Sequence, residues 1–286
     1  MESDHKPGQE SLFALVDGAA APGQIQTLFE RAGIQCLNVY EGLPEAELDA
    51  ASLFLVPVPD PDADWVTELD RIDRHSPCLS LVWGRVAADQ LAAHLRAFLF
   101  ADIGDGVTAM VRFFDPRNTG IVCRLWGDSI LDLFMGPIER WMYRGRHESW
   151  QRIENNTLSG AKVCKSITIE LEQGDVDALT AHTEPDELLA VLIEAELVDG
   201  THAYFERLAD FMPRYERALS WGLLEPTDRL RFCEKTYLLG MEFDSQPQVA
   251  QALEARRQSG VGLRAALEAV PSHVWDALAD KRSSLS

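Results

Sequence analysis

Positive charge is scarce in this 286-residue chain: 26 Lys and Arg stand against 46 Asp and Glu, a net charge of −20. The deficit is even, −10 on each side of the His147/Glu148 junction. Neither half offers the basic surface that phosphate backbones or anionic lipid heads require, so neither nucleic acid nor membrane is an expected partner. Long apolar runs are missing too. None approaches the roughly 18 residues of a membrane span, and the polar start, Met1 to Ser11, lacks the regions of a signal peptide. Cysteine is sparse: Cys36, Cys78, Cys123, Cys164 and Cys233 are odd in number and never at CxxC spacing. That argues against a disulfide framework or zinc site and for a reducing, cytoplasmic setting. The seven histidines never pair at i, i+4, so no metal site is expected, and no cofactor.

What is present is an alternation of short apolar runs and amphipathic segments. Leu12 to Val16 ends in Asp17-Gly18. Pro22 then opens a helical stretch to about Arg31, with Gly33 placed as its C-cap. Strands are expected at 35–40, 53–58 and 77–83, helices at 62–74 and 88–100, and a hairpin around Gly104-Asp105-Gly106. Strands alternating with helices predict an α/β (α+β) layer with a mainly parallel or mixed sheet. Residues 139–169 read as a few further strands. Beyond Gly174 the period becomes helical, with Pro185, Pro226 and Pro247 at expected helix starts. The domains expected are thus an α/β domain over 1–172 and an all-helical domain over 173–286.

Catalytic constellations are thin. Gly104-x-Gly106 lacks the third glycine and the lysine of a phosphate loop and reads as a tight turn. Gly127-Asp128-Ser129 is similar to the Gly-Asp-Ser block of one class of esterases, but no histidine stands in the Asp-x-x-His setting those enzymes use. A helix N-cap is the preferred reading, and a serine hydrolase using Ser129 is kept as the alternative. Partner-binding candidates fall in two groups. Trp126, Trp141 and Tyr143 interleave with Arg140, Arg144 and Arg146, residue types enriched at interface hot spots, although a core role is the default for the aromatics. Between Ser166 and Glu206 there are eleven acids and no Lys or Arg, so Glu194, Glu196 and Asp199 form an acidic face suited to a basic partner.

Five blocks carry a resemblance, in order: Leu12 to Ala19 with Asp17-Gly18; Tyr40 with Gly42-Leu43-Pro44-Glu45; Trp83-Gly84 with His94-Leu95-Arg96 and Phe98-Leu99; Arg112-Phe113-Phe114-Asp115-Pro116-Arg117; and Phe134-Met135-Gly136-Pro137-Ile138. Over about residues 11–140 the chain resembles the effector-loading adaptor (chaperone) family of bacterial type VI secretion, whose N-terminal domain was long catalogued as of unknown function. Tyr237, Gly240 and Phe243-Asp244, followed by Pro247 and Val249, resemble the helical tail often attached to it. The resemblance implies a non-enzymatic cytoplasmic protein whose partners are a secreted toxic effector and the spike of the secretion tube. Phe113-Phe114 stands where that family often has tyrosine, and Arg85 where an apolar residue is commoner. Physically these blocks read as scaffold. Arg112 and Arg117 flank Asp115 closely enough to fix the turn at Pro116, while Asp17 accepts backbone N–H groups and Gly18 supplies positive φ.

Overall fold

The computed structural model describes residues 10–155 and 162–283; the start of the chain, including His5, and part of the 139–169 stretch lie outside them. Two compact units result, Met1–His182 and Thr183–Ser286. No helix among the described residues is long and apolar enough to cross a membrane.

In the first unit, strands β1 (Ser11–Asp17), β2 (Leu37–Asn38), β3 (Leu53–Pro57) and β4 (Leu79–Gly84) alternate with helices α1 (Pro22–Ala32), α2 (Asp64–His75) and α3 (Ala88–Arg96). The hairpin β5 (Phe100–Asp102) and β6 (Thr108–Met110), helix α4 (Pro116–Phe134), and strands β7 (Ile138–Tyr143) and β8 (Gln151–Glu154) follow. The six-stranded sheet has the order β2-β3-β1-β4-β7-β8. Every ladder in it is antiparallel.

The expected parallel or mixed sheet is therefore corrected, and the reason is specific. Helix α2 does join two strands of the same direction, β3 and β4, but β1 lies between them and pairs antiparallel with both. Burial explains why the sequence looks parallel. Phe13 and Leu15 enter one core with Leu55, Val82 and Trp141, while Ala14 and Val16 enter another with Ile25 and Phe29 of α1 and Leu69 of α2. A strand covered on both faces reads as a continuous apolar run whichever way its neighbours point.

Local signals fare better. Helix α1 starts at Pro22 and is closed by Gly33 at φ 62°, the left-handed C-cap. The β5–β6 turn runs through Gly104, Asp105 and Gly106, all at positive φ. In α4 the chain kinks at Gly127 (φ 61°, ψ 176°) and the helix resumes at Asp128. Residues 163–169, expected as strand, form none.

The second unit is helical. Helix α5 (Gln173–Glu194) spans the division between the units and is followed by α6 (Tyr204–Ser220), α7 (Pro226–Leu239), α8 (Pro247–Ser259), α9 (Leu263–Glu268) and α10 (Ser272–Ser283). Pro226 and Pro247 start their helices. Pro185 does not: α5 begins twelve residues earlier and carries it internally. The core of this unit gathers Leu189, Leu192, Phe211, Phe232, Phe243 and Val249.

Candidate functional site

Two of the motif blocks, Leu12 to Ala19 and Arg112 to Arg117, meet in an ionic joint at the end of β1. Asp17 closes the strand and accepts from Ala19 N–H at 3.1 Å. Arg112 reaches it from 95 residues away, Nη2 to Oδ2 at 2.6 Å, and lies 3.7 Å from Asp115. Asp115 caps α4 by accepting Arg117 N–H at 3.0 Å, and the Arg117 guanidinium grips the same carboxylate with two bonds, 2.9 and 2.7 Å. Pro116 follows as the first helical residue, where its missing N–H costs nothing. The flanking of Asp115 by two arginines is as expected; its link to Asp17 is visible only in the fold. Both carboxylates are buried, whereas the Arg112 side chain is 42% exposed and its guanidinium lies 5.2 Å over the Phe114 ring. Burial pushes the Asp17 carboxyl up despite the Arg112 charge.

Gly18 is needed for a different reason than expected. Its φ is not positive; a Cβ there would sit 2.5 Å from the carbonyl oxygens of Ala50 and Ser52. Tyr40 packs edge-on against Phe114, and its hydroxyl is pushed up by burial, then by the Asp17 charge. Gly136 lies against the Lys162 carbonyl, 2.6 Å from where a Cβ would stand, and the preceding Met135 and the Pro137-Ile138 step carry the chain into β7.

The aromatic and arginine candidates separate. Trp126 and Trp141 are 3% and 0% exposed and pack with Phe98, Phe113 and Phe134, so both are corrected from partner anchors to core residues. Arg144 is corrected likewise. It is buried against α2, bonded to Asp73 Oδ2 at 2.6 Å and to Asp70, with its guanidinium 4.3 Å over Trp150. Asp73, which the sequence reading missed, also accepts Cys78 N–H and Leu79 N–H at 2.9 and 2.8 Å, and so ties α2 to the start of β4. Arg140 remains partly exposed, stacked 4.3 Å over the Trp83 ring across β4–β7. Tyr143 is half-buried over Gly120, and Arg146 donates to the His182 carbonyl. Glu194, Glu196 and Asp199 are all exposed. Asp199 accepts from Thr201 N–H and Oγ1, which holds its carboxyl below the usual range.

Ser129 is exposed and has no hydrogen bond to a histidine among the described residues. A histidine with strongly displaced basicity lies elsewhere. His94 is fully buried; its Nε2–H donates to the Phe134 carbonyl at 2.7 Å while Nδ1 accepts from Cys164 N–H at 2.9 Å, which fixes the neutral tautomer. Burial lowers its pKa to about 4. No group of three or more His, Cys, Asp or Glu that could hold a metal ion occurs among the described residues.

In the second unit, Glu184 and Arg229 form a buried pair, joined by Tyr215 Oη at 3.1 Å. Arg229 also donates to the carbonyls of Leu223 and Leu224. The Phe243-Asp244 block places Asp244 where Arg217 Nε (2.8 Å) and Trp221 Nε1 (2.6 Å) both donate to it.

Comparison with known proteins covers the first unit alone. No curated protein and no solved structure matches the chain. Residues 12–129 match the family model described as "Domain of unknown function (DUF4123)".

Proposed function

We propose that the protein is a cytoplasmic adaptor of type VI secretion that binds a secreted effector and promotes its loading onto the spike, without catalysis of its own. The observation that carries this reading is that four of the five resemblance blocks fall within residues 12–129, and that two of them meet in the Asp17–Arg112–Asp115–Arg117 joint. The buried parts of that joint act as scaffold, because each carboxylate spends its acceptors on backbone N–H and arginine donors. Contact with partners then falls to groups that are not buried: the partly exposed Arg140, Arg146 and Tyr143 in the first unit, and the exposed acids Glu194, Glu196 and Asp199 in the second.

The serine-hydrolase alternative draws no support from the surroundings of Ser129, since a hydroxyl nucleophile needs a base within hydrogen-bond reach. Labelling by a fluorophosphonate that is lost in Ser129→Ala would revive it. The adaptor reading is tested by deleting the gene and following secretion. Delivery of one effector should be lost while the secretion tube still assembles and other cargo still leaves. Unchanged delivery of every effector would overturn it.

A further inference from the structure

One face of α3 is left open towards solvent. Asp89, Gln90, Ala93, Arg96 and Ala97 line a cavity of about 550 Å³ whose opposite wall is the segment 163–167, which belongs to no helix or strand. Their spacing puts them on a single helical face, and the seven steps from Asp89 to Arg96 rise about 10 Å. That is the length of about three residues of extended chain.

The wall is held in place by residues that the sequence singled out for other reasons. His94, on the inner face of α3, accepts Cys164 N–H, and Gly136 admits the Lys162 carbonyl where any side chain would collide with it. Yet the wall pairs with no strand. Among the described residues, no main-chain group of 163–167 bonds to another main-chain group; Cys164 N–H goes to His94, and Ser166 O receives the Cys164 thiol. A segment with open N–H and C=O groups along a groove offers an incoming strand main-chain partners.

Charge selects what that strand carries. In a chain of net −20, no acid occurs between Glu154 and Glu170, while Lys162 and Lys165 do. Arg96 stands on the facing helix with its Nε–H fixed to the Val39 carbonyl at 2.7 Å. Between these cations lie Ala93, Ala97, Val163 and Ile167. Asp89 sits at the other end, in the first turn of α3, where the helix N-terminus favours a negative charge.

We propose that this groove binds an extended peptide segment of a partner protein. Its main chain pairs along residues 163–167, apolar side chains seat on Ala93, Ala97, Val163 and Ile167, and an Asp or Glu is held by Arg96 and Lys165. The source of the peptide, though not the groove, rests on the adaptor reading.

The test pans a phage-displayed library of random linear heptapeptides on the full-length protein, with counter-selection against Ala93→Trp, which fills the groove. Lys165→Glu, an exposed substitution, serves as the second variant should Ala93→Trp fail to fold. Enriched sequences should carry an acid flanked by apolar residues at alternate positions and bind Lys165→Glu about ten-fold more weakly, the loss of one charge-assisted contact. No enrichment, enrichment of basic peptides, or equal binding to both variants would overturn the groove. The two readings fail separately. Acid-bearing peptides enriched by a protein that recovers no effector from its own cytoplasm would leave the groove standing and remove the adaptor. An effector held equally by wild type, Ala93→Trp and Lys165→Glu would do the reverse.

Discussion

The two units bury carboxylates in different ways. In the first, Asp17, Asp73 and Asp115 each accept at least one backbone N–H from a residue two to six positions further on, and an arginine completes the set. In the second, Glu184 and Asp244 take side-chain donors: Arg229 and Tyr215 for one, Arg217 and Trp221 for the other. Each carboxylate of the first kind fixes where a strand or helix begins or ends. Each of the second staples segments 23 to 45 residues apart. The first unit thus uses buried charge to specify turns as well as distant contacts, and the second uses it to specify which helices meet.

The comparison is broken most severely at Arg229. Arg229→Met leaves the Glu184 carboxylate buried with a hydroxyl alone, and should cost about 3–5 kcal/mol. Glu184→Leu combined with Arg229→Met removes both charges and should recover most of that loss in a denaturant titration. If the double variant is no more stable than the single one, the staple contributes more than charge compensation.

Asp73→Ala is the counterpart in the first unit. It strands two N–H groups and leaves the Arg144 guanidinium with Asp70 as its remaining carboxylate, and should cost about 3 kcal/mol. Asp73→Asn keeps an acceptor for Cys78 and Leu79 and should lose about half as much. Hydrogen exchange gives the sharper readout, since the amides of Cys78 and Leu79 should exchange faster in Asp73→Ala than in Asp73→Asn.

His94 sharpens the comparison with a group that is buried and neutral. Its folded pKa of about 4 lies below the ordinary 6.5, so the unfolded chain takes up the proton first as pH falls. Its contribution is intact above about pH 6.5 and is lost between there and about 4, by about 3 kcal/mol in total. Urea midpoints for wild type and His94→Gln should diverge at neutral pH and converge towards pH 4. Parallel curves would contradict the tautomer assigned from the Phe134 and Cys164 bonds.

The smallest structural effect belongs to the exposed acids. Replacing Glu194, Glu196 and Asp199 by Lys should leave the thermal midpoint nearly unchanged while slowing association with a cognate cargo by about ten-fold at low salt. An unchanged rate and salt dependence would remove the acidic face from the interface.

Legibility in the sequence follows the separation of the partners along the chain. Helix α1 with its Pro22 start and Gly33 cap, the Gly104–Gly106 turn and the pairing of Arg117 with Asp115 all depend on residues within one or two turns of chain. The antiparallel sheet was not legible, because nothing local says that β1 inserts between β3 and β4. The contacts of Arg112 with Asp17, Arg144 with Asp73, and Cys164 with His94 join residues 70 to 95 positions apart and leave no periodic trace. Trp126, Trp141 and Arg144 misled for a related reason. The residue types that anchor interfaces are also those that fill cores and pair with buried acids, and only burial separates the two.

The proposal that this chain holds a secreted effector is tested most directly by affinity purification of the tagged full-length protein from a lysate of its native cells at moderate salt, followed by mass spectrometry. Near-stoichiometric recovery of one large secreted toxin, with or without the spike protein, is the predicted result. Recovery of the protein alone while its candidate cargo is being expressed would contradict it.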